Sequence, residues 1–530
     1  MKKVLSLLFM FSVVFSVFAE GQQDAVSGDE FIIWNSAEPE SLDPHKIEGV
    51  PEHRLYLSLF EGLVSYDPKT AKPVPAVAES WEFSDDNTEI TFHIRKNAVW
   101  SDGVAITAQT VKDSWIRGLD PELGGPYTWF PAMFLEGAAE YNGGEAGPEA
   151  LGVEVIDDNT LVVHLIGPLP YALEAFAHYS FAIVPVHAIE KYGDAWINPK
   201  NFVGNGPFKL SEWVPQDKVV AVKNDKYWDA ANVKLDKITY LAVEDNNTGY
   251  NLFVNGEIDW GVEVPLDQMD AVKLRDDYQS VPQLSTYYYI FETKTAPFDD
   301  ARVRKALAMA IDRKTLVEKI TKAGQVPAYA MVPPMAGYPG IDGFHESVAE
   351  AQQLLADAGF PQGNGFPEFK ILYNTSEGHQ TVAEYIQQQW EENLGIKVTL
   401  VNMEWKTYLA ERREHKFTVA RAGWVGDYQD PNTFLDMFLA ADDLDGNWGS
   451  NDGRFDNPEY DKLIRQAATM PEGEARFKVL ADAEKIFIED EMGILPLYFY
   501  ATKNMIDLSK WGGWHSNTMD IHPTKYIYKK

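Results

Sequence analysis

Between residues 299 and 401 the chain passes repeatedly from an amphipathic helical run, through a glycine, towards a β-branched run. This order restricts the available folds more than any other feature. Asp299 and Asp300 offer N-caps to a helix whose Val303, Ala306, Leu307, Ala310 and Ile311 share one face. A second helix runs through Val348, Ala351, Leu354, Leu355 and Ala358 and stops at Gly359. A third, from about Gln380 to Leu394, stops at Gly395 and gives way to a strand over 396–401. Helix, glycine, strand is the crossover pattern of an α/β fold, and the apolar stripes are read as core. Upstream, Glu89–Arg95 alternates with period two, Thr160–Ile166 is β-branched, and 206–213 with 218–223 predicts a hairpin.

At 530 residues the chain has room for three or four structural units of about 150 residues, and 45% hydrophobic residues suffice for real cores. A formal charge of −34 disfavours nucleic acid and anionic lipid, which need clustered Lys and Arg. The absence of cysteine excludes disulfides, thiolate metal sites and a cysteine nucleophile.

Met1-Lys2-Lys3, the apolar stretch Val4–Phe18 and the small residues Val17 and Ala19 read as a signal peptide over 1–19. The competing reading, a membrane anchor, needs roughly 20 apolar residues. No cysteine is placed for lipid attachment, so a free periplasmic protein without direct membrane insertion is expected, with secretion into the medium as the lesser alternative.

Zinc-helix, nucleophile-elbow, P-loop and dinucleotide motifs are missing, and the 11 histidines are scattered. The reading is therefore not an enzyme, with no catalytic residues, no cofactor and no metal expected. The segment Arg421-Ala-Gly-Trp-Val-Gly-Asp-Tyr-Gln-Asp-Pro431 is unusual chemistry after Phe417–Ala420, which reads as a short buried strand placing Arg421 at its C-terminal end and Asp427 in the loop beyond. An Asp and an Arg there form either an internal ion pair or a site meeting the two termini of a zwitterionic ligand.

The sequence closely resembles the oligopeptide-binding proteins of ABC importers over essentially the whole mature chain. The marks include Ser41–Pro51, Ala78-Glu-Ser-Trp81, Trp100-Ser-Asp-Gly103, Asn205-Gly-Pro207, Gly256-Glu-Ile-Asp259, Thr286-Tyr-Tyr-Tyr289, Leu372–Ser376, Asn402–Thr407 and the Arg421–Pro431 segment. The resemblance implies an α/β periplasmic binding protein of two hinge-closing lobes with an additional third domain. It places lobe I over 20–60, 185–284 and 502–530, domain II over 61–184 and lobe III over 285–501.

It further implies that Asp427 binds the peptide α-ammonium, that Arg421, Arg412 and His379 meet the α-carboxylate, and that Glu48, Gly49 and Val50 pair with the peptide backbone. Trp405, Gly423, Trp424 and Tyr500 are expected in pocket walls, and Tyr288 as a further contact. Where the relatives carry a disulfide, Val425 and Ser285 stand here; the lysine they use for the shortest peptides has no firm counterpart, Lys322 being nearby in order. Expected partners are short peptides and a membrane ABC permease, with the chain itself a monomer. The acidity suggests a cleft favouring peptides with Lys or Arg. A murein-peptide, dipeptide or nickel receptor is the alternative on the same fold; a secreted hydrolase or a peptide-holding chaperone lies outside it.

Overall fold

The computed structural model describes residues 29–169, 171–441 and 448–530, so the signal-peptide reading lies outside the described residues. Three larger sheets, beside two of two strands each, organise the described residues.

The first has seven strands in the order Tyr278–Gln279, Asn504–Ile506, Trp260–Gly261, Glu30–Trp34, Lys237–Leu241, Lys218–Lys223, Phe208–Val214. Glu30–Trp34 lies at its centre, parallel to both neighbours, and its Phe31, Ile33 and Trp34 are fully buried. The expected hairpin is present as Phe208–Val214 with Lys218–Lys223, and Gln216 turns it at φ 62°.

The second sheet runs Val326–Pro327, Ile494–Ala501, Pro282–Phe291, Val419–Val425, Phe369–Asn374, Val398–Met403. Its central strand Pro282–Phe291 is buried from Leu284 onward, as a strand covered on both faces must be. The helix Glu377–Leu394 is the crossover between the parallel strands Phe369–Asn374 and Val398–Met403. Gly395 ends that helix at φ 71°, the left-handed conformation that glycine adopts without a side-chain clash. The strand begins at Val398 rather than 396, because its register starts opposite Phe369. Asp300 caps Ala301–Met309 as expected, accepting from the Arg302 N–H at 2.8 Å. The third sheet is antiparallel, in the order Ala78–Phe83, Glu89–Ile94, Thr160–His164, Val153–Asp157.

One expectation is corrected. The strand after Phe417 is not confined to 417–420 but runs Val419–Val425, pairing residue by residue with the central strand from Phe291↔Val419 to Ser285↔Val425. Arg421 therefore projects from mid-strand, and Asp427 follows the strand end by two residues. The cause is tertiary: the small Ala420, Ala422 and Gly423 let the chain lie flat against the tyrosine-rich partner.

Candidate ligand-binding cleft

A cavity of about 330 Å³ lies where segments associated with all three sheets meet. Glu48, Gly49 and Val50 enter it at the start of the helix Val50–Leu59, and Tyr127, His178 and Tyr179 from the chain around the antiparallel sheet. His379, Trp405, Arg412, Arg421, Gly423, Trp424, Asp427 and Tyr500 come from the six-stranded sheet and its connections. Every residue expected at the site except Tyr288 lines this cavity.

Tyr288 is 1% exposed, packs its ring against Phe438 and does not line the cavity. Strand alternation turns its neighbour Tyr287, fully buried and also not a lining residue, towards the lining residues His379 and Arg421. The Tyr287 hydroxyl lies 3.3 Å from His379 Nδ1, and its ring sits 4.9 Å beneath the Arg421 guanidinium.

Asp427 is held by neutral partners. The Tyr127 hydroxyl donates to Oδ2 at 3.1 Å, and His178 Nε2 lies 3.4 Å from Oδ1. Burial keeps His178 well below the ordinary imidazole range and so uncharged. Burial, with the nearby Asp436 charge, pushes the Asp427 carboxyl well above its usual range, against the lowering effect of the Tyr127 bond. Asp427 thus lacks a cationic partner among the described residues, and its carboxylate is stable only when a cation arrives.

Arg421 is the complement. Its Nη2 donates to the Tyr500 hydroxyl at 2.8 Å and Nη1 to Asn374 Oδ1 at 3.3 Å, while buried Nε has no partner. No carboxylate pairs with it among the described residues. Gly423 makes this arrangement possible, since a Cβ there would stand 2.6 Å from the Tyr500 oxygen and 3.1 Å from Arg421 Nη2. His379 is kept neutral by burial and then by the Arg421 charge.

The other wall cations are differently engaged. Arg412 Nε donates to Asp452 at 2.8 Å, Lys503 pairs with Glu263, and Arg413 bridges Glu48 at 2.8 Å and Glu40 at 2.5 Å. Arg54 donates to Asn35 at 3.4 Å. Lys322 is not in the wall; its Nζ meets Asp270 at 2.7 Å.

By formal count, the acidic lining residues Glu48, Glu263, Asp427, Asp452 and Asp520 equal in number the cationic Arg54, Arg412, Arg413, Arg421 and Lys503. The expected excess of acid is therefore absent among the described lining residues, although the chain as a whole carries −34.

Gly49 stands close to Trp405 across the cleft. A Cβ on Gly49 would stand 2.9 Å from the Trp405 ring. Trp405 Nε1 donates to Glu52 Oε1 at 3.2 Å, and that carboxyl, pushed up to about 7 by burial, also accepts from the Glu40 N–H at 2.7 Å.

Tyr127, His178, Tyr287 and Asn374 were not anticipated. Asn374 and Tyr287 lie within the quoted Leu372–Ser376 and Thr286–Tyr289 marks and were within reach of sequence reasoning; Tyr127 and His178 carry no local signal of a ligand role.

The family model described as bacterial extracellular solute-binding proteins, family 5 Middle, matches residues 72–445. The periplasmic oligopeptide-binding protein OppA of Salmonella typhimurium is 37% identical, over 94% of this chain and 91% of its own. The crystal structure of the oligopeptide-binding protein OppAIV of Borrelia burgdorferi superposes with a TM-score of 0.91 at 37% identity, covering 95% of this chain and all of that one. The chain belongs to family 5 of the bacterial extracellular solute-binding proteins, and its α/β architecture is that of the multidomain periplasmic binding proteins.

The arrangement of its parts is informative too. The murein tripeptide-binding protein MppA of Escherichia coli, 36% identical and covering 95% of this chain and 99% of its own, matches with a TM-score of 0.90 in one structure. Its unliganded open form, covering 95% and 98%, matches with only 0.64. The present structure is not in that open arrangement. Among the described residues, no helix is long and apolar enough to cross a membrane.

Proposed function

We propose that this protein is a periplasmic receptor that encloses short peptides with free termini and delivers them to a membrane ABC importer, without chemical change to the ligand. The observation that carries this reading is that Asp427 and Arg421, opposite in sign and each without an ion-pair partner of fixed charge among the described residues, line one cavity. Asp427 suits an α-ammonium and Arg421 suits an α-carboxylate. OppA and OppAIV are oligopeptide-binding proteins, which supports the same ligand class.

The three sheets are consistent with lobes over 20–60, 185–284 and 502–530, over 61–184, and over 285–501. The two crossings between the first and third lobes lie side by side, since Pro282 pairs with Ala501 and the Thr502 N–H donates to the Val281 carbonyl at 2.9 Å. Two adjacent strands make a hinge, and a ligand touching both sides stabilises closure because only the closed state offers both. Glu48, Gly49 and Val50 supply backbone to the peptide, the aromatic walls shape its side-chain pockets, and His379 takes the carboxylate of longer ligands. Arg412 acts through its pair with Asp452.

The α-ammonium has an ordinary pKa of about 7.7 to 8.0, so it is charged in a neutral compartment. Enclosing ionised Asp427 without it leaves a buried charge unpaired. Calorimetry with trialanine and N-acetyl-trialanine tests the reading: the acetylated peptide should bind at least about a hundredfold more weakly, and equal affinities would overturn it.

A further inference from the structure

The wall behind Asp427 is a ring cluster to which the peptide reading gives no task. His178, beside Asp427, has its ring 5.8 Å from that of His53, and His53 stands 5.8 Å from Tyr66 and 5.4 Å from Tyr179. All four line the cavity. Two polar atoms of the cluster, the Tyr66 hydroxyl and His53 Nε2, are buried with no hydrogen-bond partner. Tyr66 is 2% exposed, so bulk water does not serve its hydroxyl. Folded proteins rarely leave such groups unmatched, because removing them from water without replacement is the expensive half of the exchange. Two orphans on rings 5.8 Å apart, both lining a ligand cavity, point to a complement that arrives with the ligand.

Connectivity decides which part of the ligand reaches them. An α-ammonium on Asp427 is one bond from the first Cα, so the first residue's side chain starts beside the cluster. His53 has ring neighbours at 5.4 to 6.0 Å on several sides, which leaves room only for a compact group. The cluster is also uncharged: burial lowers His53 to about 3. A ligand carboxylate there would oppose Asp427, and a second ammonium would oppose the one already bound.

Resting on the reading of Asp427 as the ammonium site, we propose that Tyr66 and His53 form a hydrogen-bonding subsite for the first residue's side chain. It selects the short hydroxyl side chains of serine and threonine over apolar ones of the same shape.

Threonine and valine are near-isosteres, so calorimetry of the full chain with Thr-Ala-Ala and Val-Ala-Ala isolates the hydroxyl. The threonine peptide should bind roughly fivefold to tenfold more tightly, the worth of one net hydrogen bond. In Tyr66→Phe that ratio should fall below about twofold, while thermal unfolding without peptide occurs no lower than in the parent, because an orphaned hydroxyl has been removed. His53→Leu provides a second variant with the same expected loss of discrimination. Equal affinities in the parent, or a ratio that survives both substitutions, overturn the subsite. If trialanine binds while threonine and valine are not distinguished, the subsite falls and the ammonium site stands; if none of the three peptides binds, both fall.

Discussion

Val425 lies directly opposite Ser285 across the antiparallel strands Val419–Val425 and Pro282–Phe291. In the adjacent pair the Gly426 N–H donates to the Leu284 carbonyl at 3.0 Å, so 285 and 425 form a non-hydrogen-bonded pair, whose Cα atoms lie about 4.5 Å apart. These are the two positions where the resemblance places a disulfide, and a spacing of that size suits one. Ser285→Cys with Val425→Cys should therefore oxidise spontaneously after export and raise stability by about 2 to 4 kcal/mol, with peptide affinity changed less than about twofold. Thiol titration and denaturant unfolding with and without reductant check this; free thiols in the exported protein would contradict the register.

Asp427→Asn should abolish binding of free-ended peptides, by at least about a hundredfold, while stabilising the empty protein at neutral pH. The sign follows from the raised carboxyl pKa. Between the unfolded value of about 3.9 and the raised folded value, the native state holds a proton that the unfolded state has released, so stability falls as pH rises. Asparagine removes that loss. Thermal unfolding at pH 4 and pH 7 should show the variant's advantage growing with pH; a lower melting temperature than the parent at pH 7 would count against a ligand-free, unmatched Asp427.

Peptide affinity should itself weaken in acid. Binding an ammonium requires ionised Asp427, so below the carboxyl's raised pKa each binding event releases a proton and affinity drops by up to about tenfold per pH unit. Calorimetry in buffers of different ionisation enthalpy reads the proton directly. No proton release and flat affinity from pH 5 to 7.5 would refute the coupling.

Gly49→Ala inserts a methyl group against Glu52 Oε2 of its own segment and 2.9 Å from the Trp405 ring on the other side. Over-packing of this kind typically costs about 1 to 3 kcal/mol. Peptide affinity should fall about tenfold, the empty protein should also lose stability through the Glu52 contact, and Trp405→Ala in the same chain should relieve part of the affinity loss but not the stability loss. Small-angle scattering with saturating peptide provides the structural readout, and an unchanged affinity would show that the sides do not meet there.

Gly423→Ala acts at the opposite charge. Its Cβ would displace the Tyr500 hydroxyl, 2.6 Å away, and with it the partner of Arg421 Nη2. Affinity should drop tenfold or more, and Tyr500→Phe alone, which removes the same partner of Arg421, should weaken binding in the same direction. A Gly423→Ala protein that binds normally would show that Arg421 needs no such positioning.

Much of this protein is decided within short stretches of chain. Asp300 caps a helix because its carboxylate reaches the Arg302 N–H, and Gly395 ends one because glycine accepts φ 71°. The Phe208–Val214 hairpin follows from alternation around a turn, and the ordered motifs from Ser41 to Pro431 determine the family. For these, neighbouring residues supply both the signal and the energy. Most other features are non-local. Tyr127 reaches Asp427 across 300 residues and His178 across nearly as many, so no spacing rule could have joined them. Whether Tyr287 or Tyr288 faces Arg421 depends on a one-residue choice of strand face, which both tyrosines suit equally by propensity and which pairing alone settles. Composition likewise could not say that acidic and cationic lining residues are equal in number in a chain of −34, or that Asp427 and Arg421 are left without mates while Arg412, Arg413 and Lys503 are paired. The sequence by itself determined the helices, turns and family; only tertiary structure decided which charges remain unmatched, because ion pairing depends on distances between residues that the chain separates and folding brings together.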